Sequence, residues 1–200
     1  MSTTVIACYT GPMGRWKPDA RARLEKAALV LFRERGFAQT TAAEIAERAG
    51  LTERTFFRYF ADKREVLFSG AAVMQQQLVT ALENAPASLS PIDAVGSAIE
   101  ATAALFEQRR DLARKRRAII AENPELQERE RIKLATLASA LAAALHRRGV
   151  GEPAATLAAE LGITVFRIAF ERWIDEKSGQ SLAQTMRESL KDLKLVTAGK

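Results

Sequence analysis

The stretch Thr41–Phe60, TAAEIAERAGLTERTFFRYF, decides the fold. Two short helices crossing steeply over a turn of three to four residues make a helix-turn-helix, and that geometry dictates residue types. A small residue is needed where the second helix crosses the first, and Ala46 stands there. The turn needs a residue tolerant of positive φ, and Gly50 supplies it. Ile45, Ala49, Leu51, Phe56 and Phe60 are spaced to anchor both helices on a third. The Thr52 hydroxyl can cap the second helix, worth about 1 kcal/mol. Glu53, Arg54, Thr55, Arg58 and Tyr59 then form a polar outer face, although Tyr59 sits where it can also pack inward.

Working outward, a first helix is predicted from Pro18–Asp19, with the stripe Leu24, Ala27, Ala28, Leu31 and Phe32 and a stop at Gly36. Thr40 or Thr41 caps the next helix. Ala61–Asp62 turns the chain into a fourth helix near Lys63, whose seam runs through Leu67, Ala71, Met74, Leu78 and Leu82. Pro91 opens another helix, with Ile92, Val95, Ile99 and Phe106 on one face. The basic stretch Arg109–Arg117 leads to a break at Asn123–Pro124, and a helix to about Arg148 is closed by Gly149. Glu152–Asp175 and Ser181 to about Val196 complete the pattern. Glycine and proline are scarce, at 11 and 6, and no segment keeps a period of two, so the fold class is all-α. The expected division is a tail over 1–17 (with Met1 or Met13 as the start), a helix-turn-helix domain over 18–64 and a larger helical domain over 65–200.

The 30 Lys and Arg exceed the 24 Asp and Glu, for a net charge of +6, which favours an anionic partner without proving one. Cys8 is the single cysteine and His146 the single histidine, so an intramolecular disulfide and a Cys- or His-rich metal site are excluded. No charged-then-apolar leader and no apolar run of spanning length occurs, which reads as a cytoplasmic protein with no membrane partner. No cofactor is expected.

Gly36–Phe37, Thr40–Thr41, Ile45–Ala46, Ala49–Gly50–Leu51–Thr52, Thr55–Phe56–Phe57 and Tyr59–Phe60–Ala61–Asp62–Lys63 resemble the DNA-binding domain of tetracycline-repressor-type (TetR) regulators. The resemblance implies a homodimeric transcriptional regulator, usually a repressor, whose paired recognition helices enter successive major grooves of operator DNA. It also implies a small-molecule effector that binds the larger domain and releases the DNA. Carried over by position, Thr41 would bind phosphate, and Thr52, Glu53, Arg54 and Thr55 would open the recognition helix, where base edges are reached. Phe57 and Tyr59 would flank the phosphate backbone, Arg58 would join them, and Lys63 resembles the family's phosphate-contacting lysine. The family usually has a small residue at the position of Arg54 and tyrosine at that of Phe57. Arginine can read guanine bidentately, and phenylalanine exchanges a phosphate hydrogen bond for contact with a thymine methyl.

The helix Glu152–Asp175 is apolar on more than one face, so it needs cover on two sides, and one side is available for a partner. The resemblance places this helix and the last one in a four-helix dimer interface, with Leu161, Val165, Ile168, Leu182, Met186 and Leu190 as candidates. Gly162 would allow another helix to approach closely. Met74, Leu78, Ile99, Phe106, Leu134, Leu137, Leu141, Phe166, Phe170 and Trp173 are candidates for a pocket taking a mainly apolar effector. The basic stretch Arg109–Arg117 fits a solvated helix face, a reinforcement of the DNA-facing field or capture of an anionic effector. No GxGxxG after a strand, GxxxxGK[ST], HExxH or GxSxG occurs, so an enzyme is not expected. A purely charge-driven nucleic-acid or membrane-surface binder is the other alternative, marked by steep salt dependence and little sequence preference.

Overall fold

The computed structural model describes residues 20–175 and 179–199. The expected tail and the helix start at Pro18–Asp19 lie outside them. The described residues form nine α-helices and no strand: α1 (Ala20–Arg35), α2 (Ala42–Arg48), α3 (Glu53–Tyr59), α4 (Ala71–Glu83), α5 (Pro91–Ala101), α6 (Arg110–Ala121), α7 (Pro124–Arg147), α8 (Ala154–Asp175) and α9 (Leu182–Thr197).

Two apolar cores organise them. The N-terminal core gathers Leu24, Leu31 and Phe32 of α1, Ile45 and Ala46 of α2, and Phe56 and Phe60 around α3. The larger core is built from α4, α5, α7, α8 and α9 around Leu78, Ile99, Leu141 and Trp173. Close helix crossings within the larger body depend on glycine. A Cβ on Gly162 of α8 would sit 2.2 Å from Val95 of α5, and one on Gly96 of α5 would sit 2.3 Å from Leu190 of α9.

The helix boundaries depart from the sequence-based expectation in two places. The fourth helix does not start near Lys63. The Asp62 carboxylate accepts hydrogen bonds from the backbone N–H of Arg64 (2.8 Å) and Glu65 (3.2 Å), which opens a short 3-10 turn at Glu65–Phe68. Val66, Leu67 and Phe68 are all buried in the N-terminal core, so this segment is enclosed rather than striped, and α4 begins only at Ala71. Phe106 does not continue the face of α5. That helix ends at Ala101, where the buried Thr102 hydroxyl donates to the Ile99 carbonyl at 2.7 Å, and a local side-chain bond of this kind competes with helix continuation. Two 3-10 turns then carry Phe106 across to Phe166 and Phe170, at ring-centroid separations of 6.2 and 5.2 Å.

Candidate nucleic-acid interface

The turn between α2 and α3 follows from its residues. Leu51 N–H donates to Ala46 C=O and Gly50 N–H to Glu47 C=O, both at 2.8 Å, with Gly50 at φ +65°. This is the paired closure that a left-handed residue just past a helix end permits, and it satisfies carbonyls the helix leaves open. Arg23 of α1 donates to the Ala49 carbonyl and so pins the same helix end. Thr52 starts α3, its hydroxyl accepting from Thr55 N–H at 3.2 Å.

Phe56 is fully buried and Phe60 nearly so, which turns the opposite face of α3 to solvent. Glu53, Arg54 and Arg58 are exposed there, with Phe57 at 53% and Tyr59 at 40% of their accessible surface. Arg58 lies over the Tyr59 ring at 5.1 Å, and the half-buried Thr55 stays on the Thr52 hydroxyl at 3.0 Å. Among the described residues Arg54 makes no hydrogen bond and no ion pair, so its five donors are available to an outside acceptor.

Thr41 and Lys63 have internal partners that the sequence reading did not foresee. Thr41 caps α2 in a reciprocal box with Glu44: its hydroxyl accepts from Glu44 N–H and donates to the Glu44 carboxylate, which also accepts Thr41 N–H at 2.8 Å. The Lys63 ammonium donates to the carbonyls of Phe37 (2.8 Å), Ala38 (3.2 Å) and Thr40 (2.9 Å) and lies 4.4 Å from the centre of the Phe37 ring. An ammonium has three donors, and all three are engaged on the α1–α2 turn. Lys63 is therefore a clamp on that turn.

The basic stretch is only in part a solvated face: Arg109 and Lys115 are exposed, whereas four of its arginines reach other elements. Arg110 donates to the Trp173 carbonyl and stacks 5.3 Å from the Trp173 ring. Arg114 donates to the Ile174 carbonyl at 2.7 Å, and Arg117 pairs with Glu171 at 2.9 Å. These three bind the C-terminal end of α8, where open helix carbonyls attract cations. Arg116 reaches the other way, donating to the Leu67 carbonyl at 2.5 Å and lying 4.9 Å from the Phe68 ring. Ile119 and Ile120 of α6 and Leu126 of α7 complete the N-terminal core. Nearby, Glu65 accepts from Arg129 (2.7 Å) and Lys133 (3.0 Å) of α7.

In the larger body, the ten pocket candidates come together in one cluster. Met74, Leu78, Ile99, Leu137, Leu141, Phe166 and Trp173 are buried in it, with Phe106, Leu134 and Phe170 packed against it. They fill one another's space because facing apolar seams interdigitate. A surface concavity of about 640 Å³, lined by residues such as Ser97, Glu100, Ala103, Glu107 and Ser181, includes none of them. A second, of about 200 Å³ between α4 and α7, includes only Leu137.

The interface candidates also divide. Val165, Leu182 and Met186 are buried within the protomer, Leu161 and Leu190 are half-buried, and Ile168 is 41% exposed. The apolar faces of Val165, Leu182 and Met186 are already covered by this chain, which leaves Leu161, Leu190 and Ile168 as the candidates with surface to offer. Leu157, which was not among the candidates, is 57% exposed. Leu157, Leu161, Thr164 and Ile168 repeat at four-, three- and four-residue spacing, so they share one stripe of α8.

Residues 24–69 match the family model for bacterial regulatory proteins of the tetR family, and residues 89–197, more than half of the chain, match the MftR C-terminal domain. The chain belongs to the TetR family of transcriptional regulators. It is 27% identical over 169 residues to MftR of Mycobacterium tuberculosis, a protein named for regulating mycofactocin biosynthesis, covering 83% of this chain and 85% of that one. Among solved structures, the TetR-type repressor FadR of Thermus thermophilus in complex with lauroyl-CoA is 25% identical, with a TM-score of 0.53 over 88% of this chain and 93% of that one. SmeT of Stenotrophomonas maltophilia, solved with triclosan, shares the fold at 21% identity and a TM-score of 0.62, covering 89% of this chain and 90% of that one. No helix among the described residues is long and apolar enough to cross a membrane.

The TetR-type head is tied to its body through a titratable group. Burial acts to raise the Glu65 carboxyl, but the hydrogen bonds from Arg129 and Lys133 outweigh it and hold the group below its ordinary range. A carboxylate lowered by folding stabilises the native state above its unfolded pKa, and that contribution is lost as pH falls through the folded value. Glu65→Gln is therefore expected to lower the denaturation midpoint at pH 7, with the gap to wild type narrowing as the pH falls below the ordinary carboxylate range. A gap unchanged over that range in urea titrations would remove the ionic role.

Proposed function

We propose that this regulator is a homodimeric repressor that reads operator DNA with α3 and releases it when a small, mainly apolar molecule binds the larger domain. The domain division at 64/65 belongs to this proposal, with the turn at Glu65–Phe68 as the joint. The observation that carries the DNA-reading role is the outer face of α3: a capped, rigidly seated helix that presents Arg54 without an internal partner. In this reading Glu53, Arg54 and Phe57 face the groove, Arg58 and Tyr59 flank the backbone, and Thr52 and Thr55 hold the start of the helix. Complementary DNA chemistry for an unpaired arginine is the O6/N7 edge of guanine, worth about 1–3 kcal/mol of discrimination.

Footprinting on the DNA upstream of the protein's own gene tests the reading. A protected, pseudo-palindromic segment is expected, with specific binding at least about 10³-fold above non-specific binding. Uniform, strongly salt-dependent protection would favour a charge-driven binder instead. Arg54→Ala is expected to relax preference at a single guanine in each half-site, and an unchanged consensus from binding-site selection would remove its base-reading role.

An apolar effector is supported by the cluster around Phe106, Phe166, Phe170 and Trp173, and the acyl chain of the lauroyl-CoA in the structure of the Thermus relative is of the same apolar chemistry. Accommodation requires those packed side chains to part. A ligand that binds only the opened, folded form raises the melting temperature in proportion to its occupancy, which a thermal-shift screen of acyl and aromatic compounds detects.

A further inference from the structure

The cleft of about 200 Å³ between α4 and α7 is distinct from the apolar cluster. Its volume corresponds to about six or seven waters, room for a small organic molecule. Arg129 and Lys133 of α7 line one side and face a single carboxylate, Glu65, so two cations share one negative charge. Gln75 also lines the cleft, and its carboxamide has no partner among the described residues. The other side is apolar, with Leu137 buried in the floor and Ile132 exposed at the rim. A half-enclosed space with excess positive charge beside exposed apolar surface suits a molecule carrying both an anionic head and a short hydrocarbon part.

We infer that this cleft binds a small amphiphilic carboxylate, whose head takes Arg129 and Lys133 from Glu65 while its apolar part covers Ile132 and Leu137. The inference adds a second ligand site to the one proposed above and rests on the repressor reading for its consequence. Glu65 opens the turn whose next three residues belong to the N-terminal core. A ligand that replaces Glu65 as counter-ion unties α7 from that turn, so carboxylate and DNA oppose each other's binding. By linkage, the factor by which one weakens the other is reciprocal.

The test uses the full chain with sodium octanoate, 1-octanol and sodium phosphate as probes in isothermal titration calorimetry, without DNA. Octanoate is expected to bind, with octanol and phosphate each at least about fivefold weaker, the scale of one partly exposed charge contact. Lys133→Gln should weaken octanoate about fivefold, whereas Glu65→Gln, which removes the internal competitor, should strengthen it by a similar factor. Equal binding of octanol, equal binding of phosphate, or octanoate affinity unmoved or lowered by Glu65→Gln would overturn the site. If Lys133→Gln fails to fold, the three wild-type titrations and Glu65→Gln still decide. A separate arm measures operator affinity with and without octanoate: a decrease is expected, and an unchanged value overturns the coupling. Failure to bind any operator would sink the repressor reading, while the calorimetry in the absence of DNA would still judge the cleft.

Discussion

Replacing Leu157 and Ile168 together by arginine is expected to leave a folded protein that sediments as a monomer near 21.9 kDa and has lost most of its operator affinity. Both side chains lie on the exposed stripe of α8, with Leu157 57% and Ile168 41% exposed, so the substitution costs the protomer little of its packing. Under the proposed homodimer, wild type should sediment at twice that mass, with the stripe of each copy set against that of the other across a two-fold axis. Four arginines would then meet across the axis, and desolvating like charges there has no compensating partner. One recognition helix alone must bind its half-site without the second being held nearby. Loss of that local concentration lowers affinity by about 10²–10⁴. Analytical ultracentrifugation and a gel-shift titration check both parts. A double variant that still sediments as a dimer would show that the interface lies elsewhere.

The second large effect concerns Lys63. Substitution by methionine removes the ammonium that lies against the Phe37 ring and bridges three carbonyls of the α1–α2 turn; those of Ala38 and Thr40 lose this donor, while Phe37 C=O keeps Thr40 N–H at 3.3 Å. A hydrogen bond from a charged group contributes about 1.5–3 kcal/mol, and the three share one ammonium, so a loss of about 2–3 kcal/mol is expected. At roughly 2–4 °C per kcal/mol for a chain of this size, the melting temperature should fall by about 4–12 °C. DNA binding well below that transition should be near wild type, with an unchanged salt slope. An unchanged melting temperature combined with uniformly weaker binding would return Lys63 to the phosphate backbone.

The helix-turn-helix was legible because each of its requirements is local. The cap at Thr52, the left-handed Gly50 and the crossing at Ala46 depend on neighbours within a few residues. The role of Lys63 was hidden, since its partners are backbone carbonyls 23 to 26 residues away and carry no sequence signature. The same holds for Arg110, Arg114 and Arg116, which seek the carbonyls of Trp173, Ile174 and Leu67. Composition records such residues only as charge. Period-3.6 patterning correctly made Val165, Leu182 and Met186 apolar helix positions, but periodicity says that a face is covered and not by which chain. The cleft at Arg129 and Lys133 escaped notice because it joins α4 to α7, and no spacing along the chain relates the two.

The N-terminal core takes Val66, Leu67 and Phe68 from the turn, Ile119 and Ile120 from α6, and Leu126 from α7. Residues 20–64 alone therefore lack part of the wall that encloses Phe56 and Ile45. The DNA-reading head is not a detachable cassette: a change of recognition sequence within this fold must come by substitution on the outer face of α3, because grafting the head onto another body would also require grafting the α6–α7 elbow that finishes its interior.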